Sequence, residues 1–263
     1  MTRRQLLIGT GAAALAFCKT KPRVGCQANG FVLKTGDFPA LLEAAAKMKT
    51  LGYDGFECNV RFVREQFARA PEARREIERT GVEFLGGHMS LSDGAPELFR
   101  GLASLGAHWA VVSHGGPWHG SDLDGVAKKC AAEGLKFAYH NHNPEFANGN
   151  AVIEELARST NPELVSFLMD AGHGYLGGGN PAEFMRKHSS RIVGCHIKTF
   201  RGKTAQGQVP LGQGDFGFDD LAAAIGETGW AGWLIDEEGG GPVPANTAAL
   251  APDREYIRRV FGV

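Results

Sequence analysis

The chain has 263 residues, of which 43% are hydrophobic and 22% charged, and its formal net charge is −1. These averages exclude a disordered chain, a fibre and a multi-span membrane protein. The near-neutral balance also excludes the basic face that nucleic-acid binding needs.

The first element in chain order is an address. Thr2-Arg3-Arg4-Gln5-Leu6-Leu7 precedes an uncharged apolar run over residues 8–16. Paired arginines, a mildly hydrophobic stretch and the small-residue site Ala14-Leu15-Ala16 resemble a twin-arginine export signal. About ten apolar residues are too few to span a bilayer. The expectation is a removable signal over residues 1–16, an exported, periplasmic protein, and a mature domain over residues 23–263. Gly9 to Ala14 also fits a G-x-G-x-x-A string. No strand precedes it, so the match is read as accidental. Cys26, Cys58, Cys130 and Cys195 form no CxxC pair, and their apolar settings predict buried free thiols.

From residue 23 onward, short β-rich runs alternate with helical stretches. The strand candidates are 23–27, 55–59, 82–88, 109–114, 136–142, 165–170, 192–198 and 232–237. The helical candidates are 38–51, 65–80, 95–105, 123–133, 152–160, 181–188, 219–228 and 253–261. Glycines stop several helices, as at Leu51-Gly52 and Thr228-Gly229, and Asn180-Pro181 supplies a cap and a first-turn proline. The 37 glycines fit a fold with many tight connections. Eight βα units predict an α/β fold, a single-domain (β/α)8 TIM barrel, with a doubly wound open sheet as the alternative.

In such a barrel the chemistry sits at the C-terminal strand ends. His88, His114, His140, His142, His173 and His196 all fall at or just after predicted strand ends. Strand alternation then selects among them. His140 shares a face with His142, His196 shares one with Lys198, Asp170 shares one with Leu168, and Glu237 shares one with Ile235. Pointed inward, these faces bring His140, Asp170, His196 and Glu237 to the barrel mouth. Two imidazoles and two carboxylates suit one divalent ion, Mn²⁺, Co²⁺, Fe²⁺ or Zn²⁺, better than Ca²⁺ or Mg²⁺. Glu238 is the alternative to Glu237 as a ligand.

Five runs carry a family resemblance. They are Tyr139-His140-Asn141-His142-Asn143-Pro144-Glu145-Phe146, Met169-Asp170-Ala171-Gly172-His173, His196-Ile197-Lys198-Thr199, Pro210-Leu211-Gly212-Gln213-Gly214-Asp215-Phe216, and Gly232-Trp233-Leu234-Ile235-Asp236-Glu237. Together they resemble the sugar phosphate isomerase/epimerase family of xylose isomerase-like TIM barrels. The resemblance implies one divalent metal held from strands five to eight, by Asp170, His196 and Glu237 with His140 in a slot where many members have glutamate. That departure matters, because the glutamate also moves a proton in the epimerases. Glu237, Glu145 and His142 are the candidates for proton transfer. His173, Lys198, His88 and Glu57 are expected around the substrate, and Trp118 is read as an aromatic platform.

The resulting expectation is an isomerase or epimerase acting on a small-molecule carbohydrate or keto-sugar through an enediolate. The first alternative is a lyase or dehydratase on the same substrate class, including an oxidised glycoside. An endonuclease IV-like nuclease and a non-catalytic sugar-binding barrel stand behind these. Near-neutral charge and the export signal both weigh against nucleic acid, and no membrane span is expected. Export and charge together also favour an uncharged carbohydrate over a phosphate ester.

Overall fold

The computed structural model describes residues 21–90, 96–113, 120–240 and 243–263. The expected signal over residues 1–16 lies outside them, as do Trp118 and His114. Ten strands occur among the described residues. Seven barrel strands come first: β1 (Arg23–Gln27), β2 (Gly55–Asn59), β3 (Glu83–Met89), β4 (Trp109–Ser113), β5 (Lys136–His140), β6 (Val165–Asp170) and β7 (Ile192–Ile197). A short antiparallel pair follows, β8 (Thr199–Phe200) and β9 (Gln208–Val209), and β10 (Trp233–Asp236) closes the barrel. The barrel order is β1-β10-β7-β6-β5-β4-β3-β2, and every neighbour in it pairs parallel. The chain is therefore a single-domain (β/α)8 barrel, and the open-sheet alternative falls away.

The helices are α1 (Phe38–Thr50), α2 (Ala70–Arg79), α3 (Pro96–Ser104), α4 (Gly120–Ala132), α5 (Ala147–Ser159), α6 (Ala171–Leu176), α7 (Pro181–His188), α8 (Asp219–Thr228) and α9 (Leu250–Phe261). Two differ from the sequence pattern for local reasons. The segment expected as one helix from residue 65 is a 3-10 turn over Arg64–Arg69 followed by α2, with Pro71 in the first turn of α2. Proline lacks an N–H, so it fits a helix start and not an interior. The unexpected α6 follows β6 directly because Asp170 caps it, with Oδ1 accepting from the His173 N–H at 2.8 Å.

The apolar residues form two bodies. A large layer lies between strands and helices, built on side chains such as Phe56, Phe137, Phe167 and Phe184. A smaller plug fills the barrel interior from Leu85, Trp109, Val111, Ala138, Leu168, Trp233 and Ile235. One glycine makes the plug possible. Gly86 pairs with Glu57 on one side and Trp109 on the other. A Cβ there would lie 2.4 Å from Trp109 Cδ1, so its absence lets the indole cross β3. The four cysteines beyond residue 20 are buried free thiols, as their settings predicted.

Candidate metal centre

Strand alternation brings the four singled-out donors together. Asp170 pairs with His196 across β6 and β7, and His196 pairs with Ile235 across β7 and β10. Glu237 follows β10 by one residue and stays in register, its N–H donating to Ile197 O at 3.3 Å. His140, Asp170, His196 and Glu237 each offer one ligand atom, all within 4.8 Å of one another. All four are buried.

The contacts define the arrangement. His196 Nδ1 lies 2.6 Å from Glu237 Oε2, 3.2 Å from His140 Nε2 and 3.9 Å from Asp170 Oδ2. His140 Nε2 lies 3.3 Å from Asp170 Oδ2. Lys198 Nζ reaches Asp170 Oδ2 at 2.8 Å and Glu237 Oε2 at 2.7 Å. His140 Nδ1 has no hydrogen-bond partner among the described residues. Two imidazoles and two carboxylates, all buried and offering ligand atoms within 4.8 Å of one another, form the mixed nitrogen and oxygen donor set a transition-metal ion takes, so the residues fit the expected metal.

Charge is balanced internally. Burial opposes ionisation of Asp170, but Lys198 and His173 hold its carboxyl well below the usual range. Burial likewise opposes Glu237, and Lys198 and His196 keep it ionised. Burial alone would lower His196, yet Glu237 and Glu57 raise it to about 10. A metal taking His196 Nδ1 must therefore displace a proton that these carboxylates hold. For His140 burial outweighs the support of Asp170 at 3.3 Å and keeps the ring neutral and ready to ligate.

A cavity of about 370 Å³ opens over this centre, lined in part by Gln27, Asn59, Arg61, Ser113, Phe200 and Gln208. His88, His140, His142, His173, Lys198 and Glu237 also line it. His173 is positioned by Asn143, whose Oδ1 lies 2.6 Å from Nδ1, and burial and Lys198 lower it to about 4. Burial also lowers His142.

Two expected site residues sit behind the wall. Glu57 is fully buried, and both its oxygens are engaged. Oε1 accepts from Trp109 Nε1 at 2.6 Å, and Oε2 lies 2.7 Å from His196 Nε2 and 3.0 Å from His88 Nε2. It braces two imidazoles from behind the cavity wall. Burial would raise its carboxyl, but the two histidines bring it down to about 2. Glu145 is also committed, with Oε1 accepting from Tyr139 OH at 2.6 Å and Oε2 from the His142 N–H at 3.0 Å. It shapes the loop after β5. Glu238 turns away from the centre and groups with Asp236 and Asp253. Trp233 belongs to the interior plug, beneath Arg23.

Residues 120–260 match the xylose isomerase-like TIM barrel family. The chain belongs to that family. Among curated relatives, an inosose dehydratase of Bacillus cereus (strain AH820) is 30% identical over 54% of this chain and 53% of its own length. At that identity the chain spans about half the length of the relative it matches. An inosose dehydratase of Geobacillus kaustophilus (strain HTA426) is 26% identical over 86% of this chain and 89% of its own. Among solved structures, the IolI protein with a bound zinc atom superimposes with a TM-score of 0.71 at 17% identity, covering 91% of this chain and 98% of that one. This last likeness speaks to the barrel alone.

The carboxamides Gln27, Asn29, Asn59 and Gln208 were not singled out from sequence. Gln208 Nε2 donates to Glu237 O at 2.7 Å, and Asn29 Nδ2 donates to Glu237 Oε1 at 3.5 Å. Strand alternation offered a signal for two of them. Gln27 ends β1, and Asn59 lies two residues past Glu57 on the same face of β2.

Proposed function

We propose that this chain is a metal-dependent lyase, a dehydratase, acting on a polyhydroxylated carbonyl compound. The observation that carries the reading is the convergence of His140, Asp170, His196 and Glu237 on a polar cavity of about 370 Å³. A cavity of that size suits a small carbohydrate. Isomerisation was the first expectation from sequence. The named activity of the two matched relatives, at 30% and 26% identity, favours loss of water instead. Both outcomes begin with removal of a hydrogen from carbon next to a carbonyl.

His140, Asp170, His196 and Glu237 would hold a divalent ion, which would supply Lewis acidity next to the substrate carbonyl. The rest falls to the chain's own groups. Glu57 orients His196, so that Nδ1 faces the centre. Lys198 lies 2.7 Å from Glu237 and holds a positive charge where negative charge develops on substrate. Glu237 and His142 stand at the cavity as groups able to exchange a proton with substrate. Carboxamides suit hydroxyl groups as both donors and acceptors. The zinc in the IolI structure supports a divalent metal here without fixing its identity.

The test is incubation of the metal-loaded protein with inosose, the substrate for which the matched relatives are named, in H₂O and in D₂O. A dehydratase yields a dehydrated, ultraviolet-absorbing product. An isomerase or epimerase exchanges carbon-bound hydrogen for deuterium with no loss of water, and that result would return the reading to isomerisation.

A further inference from the structure

We infer that His88 is a proton-transferring residue of this site, with Nδ1 as the base and Glu57 as the group that fixes its tautomer. The inference rests on the dehydratase reading and adds to it the residue that handles the proton.

The geometry is specific. His88 lines the cavity and is 9% exposed, while Glu57 behind it is fully buried. Glu57 Oε1 is occupied by the indole N–H of Trp109 at 2.6 Å, which prevents the carboxylate from turning. Oε2 therefore faces both His88 Nε2 and His196 Nε2, at 3.0 and 2.7 Å. A carboxylate oxygen only accepts, so each ring presents Nε2–H to it. His196 Nδ1 points into the donor cluster and donates to Glu237 Oε2 at 2.6 Å, the position a metal would take in place of that proton. His88 keeps its lone pair on Nδ1, which makes no hydrogen bond among the described residues, and the residue lines the cavity. One buried carboxylate thus prepares two imidazoles for two tasks.

The other carboxylate candidates are more constrained. Both oxygens of Glu145 accept hydrogen bonds. Glu237 Oε2 is shared between His196 and Lys198.

The step balances with no further reactant. His88 Nδ1 takes the hydrogen from the carbon next to the carbonyl, and the C–H pair becomes the carbon–carbon double bond of an enolate. The enolate re-forms the carbonyl and expels the β-hydroxyl with its bonding pair. That oxygen takes the proton back from His88 Nδ1. The products are an unsaturated carbonyl compound and water, and His88 is regenerated. Glu57 stabilises the imidazolium between the two transfers, as a buried carboxylate does for a catalytic histidine.

The experiment combines variants with a tautomer measurement. His88→Gln keeps a donor toward Glu57 and removes the base. It is expected to retain fold and bound Zn²⁺ while turnover of inosose falls by about 10²–10⁴-fold. His88→Ala is expected to regain activity with added imidazole, which a structural role would not allow. In ¹⁵N-histidine-labelled wild type, His88 is expected to carry its proton on Nε2 and none on Nδ1. Wild-type turnover in His88→Gln, or a proton on His88 Nδ1, would overturn the inference. If the wild type leaves inosose unchanged, the dehydratase reading on that substrate fails, and the tautomer decides the inference alone.

Discussion

Glu57 Oε2 lies 2.7 Å from His196 Nε2, a contact that joins the second barrel strand to the seventh through the barrel interior. It orients an imidazole whose other nitrogen faces three further donors. Partners of this kind typically govern metal affinity by about 10–100-fold. Glu57→Ala is therefore expected to weaken Zn²⁺ binding by about that factor in competition with a chelator. Unchanged affinity would mean that Glu57 does not orient a ligand.

Lys198 offers a second test, because its ammonium lies 2.8 Å from Asp170 and 2.7 Å from Glu237. It competes with a divalent ion for the same two carboxylates. Lys198→Met leaves their charge uncompensated, so metal affinity is expected to rise or hold. Turnover is expected to fall by about 10²–10³-fold through loss of a charge-stabilising group. Chelator competition and steady-state kinetics on one preparation read both effects. Loss of metal in this variant would contradict the assignment of the carboxylates.

The interior plug predicts a packing defect with a chemical consequence. Gly86→Ala would place a methyl group 2.4 Å from Trp109 Cδ1 and 2.9 Å from Trp109 O. Overpacking of this kind costs about 1–3 kcal/mol. The indole must also move away from Glu57, which it holds at 2.6 Å. Chemical denaturation should show the loss of stability, and metal titration should show weakened binding in the folded fraction. A variant as stable as wild type would contradict the close approach.

The acidic group beside the site predicts a pH dependence. Asp236, Glu238 and Asp253 are buried together, and each has a carboxylate oxygen with no hydrogen bond among the described residues. Burial, then Asp253 and Asp236, raise Glu238 well above the ordinary carboxylate range. A carboxyl raised on folding binds more protons in the folded state than in the unfolded one. Stability from it is thus fully present at low pH and is lost as pH climbs from the unfolded value through the raised one. Glu238→Gln imitates the protonated form. Its melting temperature, relative to wild type, is expected to rise between about pH 5 and about pH 8.5. A difference that is flat across this range would contradict the buried acidic group.

Much of the site was legible because strand alternation is strict. Asp170, His196 and Glu237 fall inward by parity alone, and His140 follows from the same count on β5. Glu57 had the right parity too, yet its role was not legible. That role depends on Trp109, 52 positions away, and on a glycine between them. Glu145 looked available as a base because sequence cannot show Tyr139 and the His142 N–H consuming both its oxygens. The fold was legible in its alternating units. The missed pieces, α6 and the β8–β9 pair, are short and are set by single caps or loop pairings that leave no periodic pattern.

The central claim is that His140, Asp170, His196 and Glu237 hold one divalent ion. Metal analysis after reconstitution and desalting, with wild type beside Asp170→Ala and His196→Ala, tests it most directly. The account predicts about one transition-metal ion per wild-type chain and its loss from both folded variants. A wild type that retains no metal, or variants that retain it unchanged, would contradict the account.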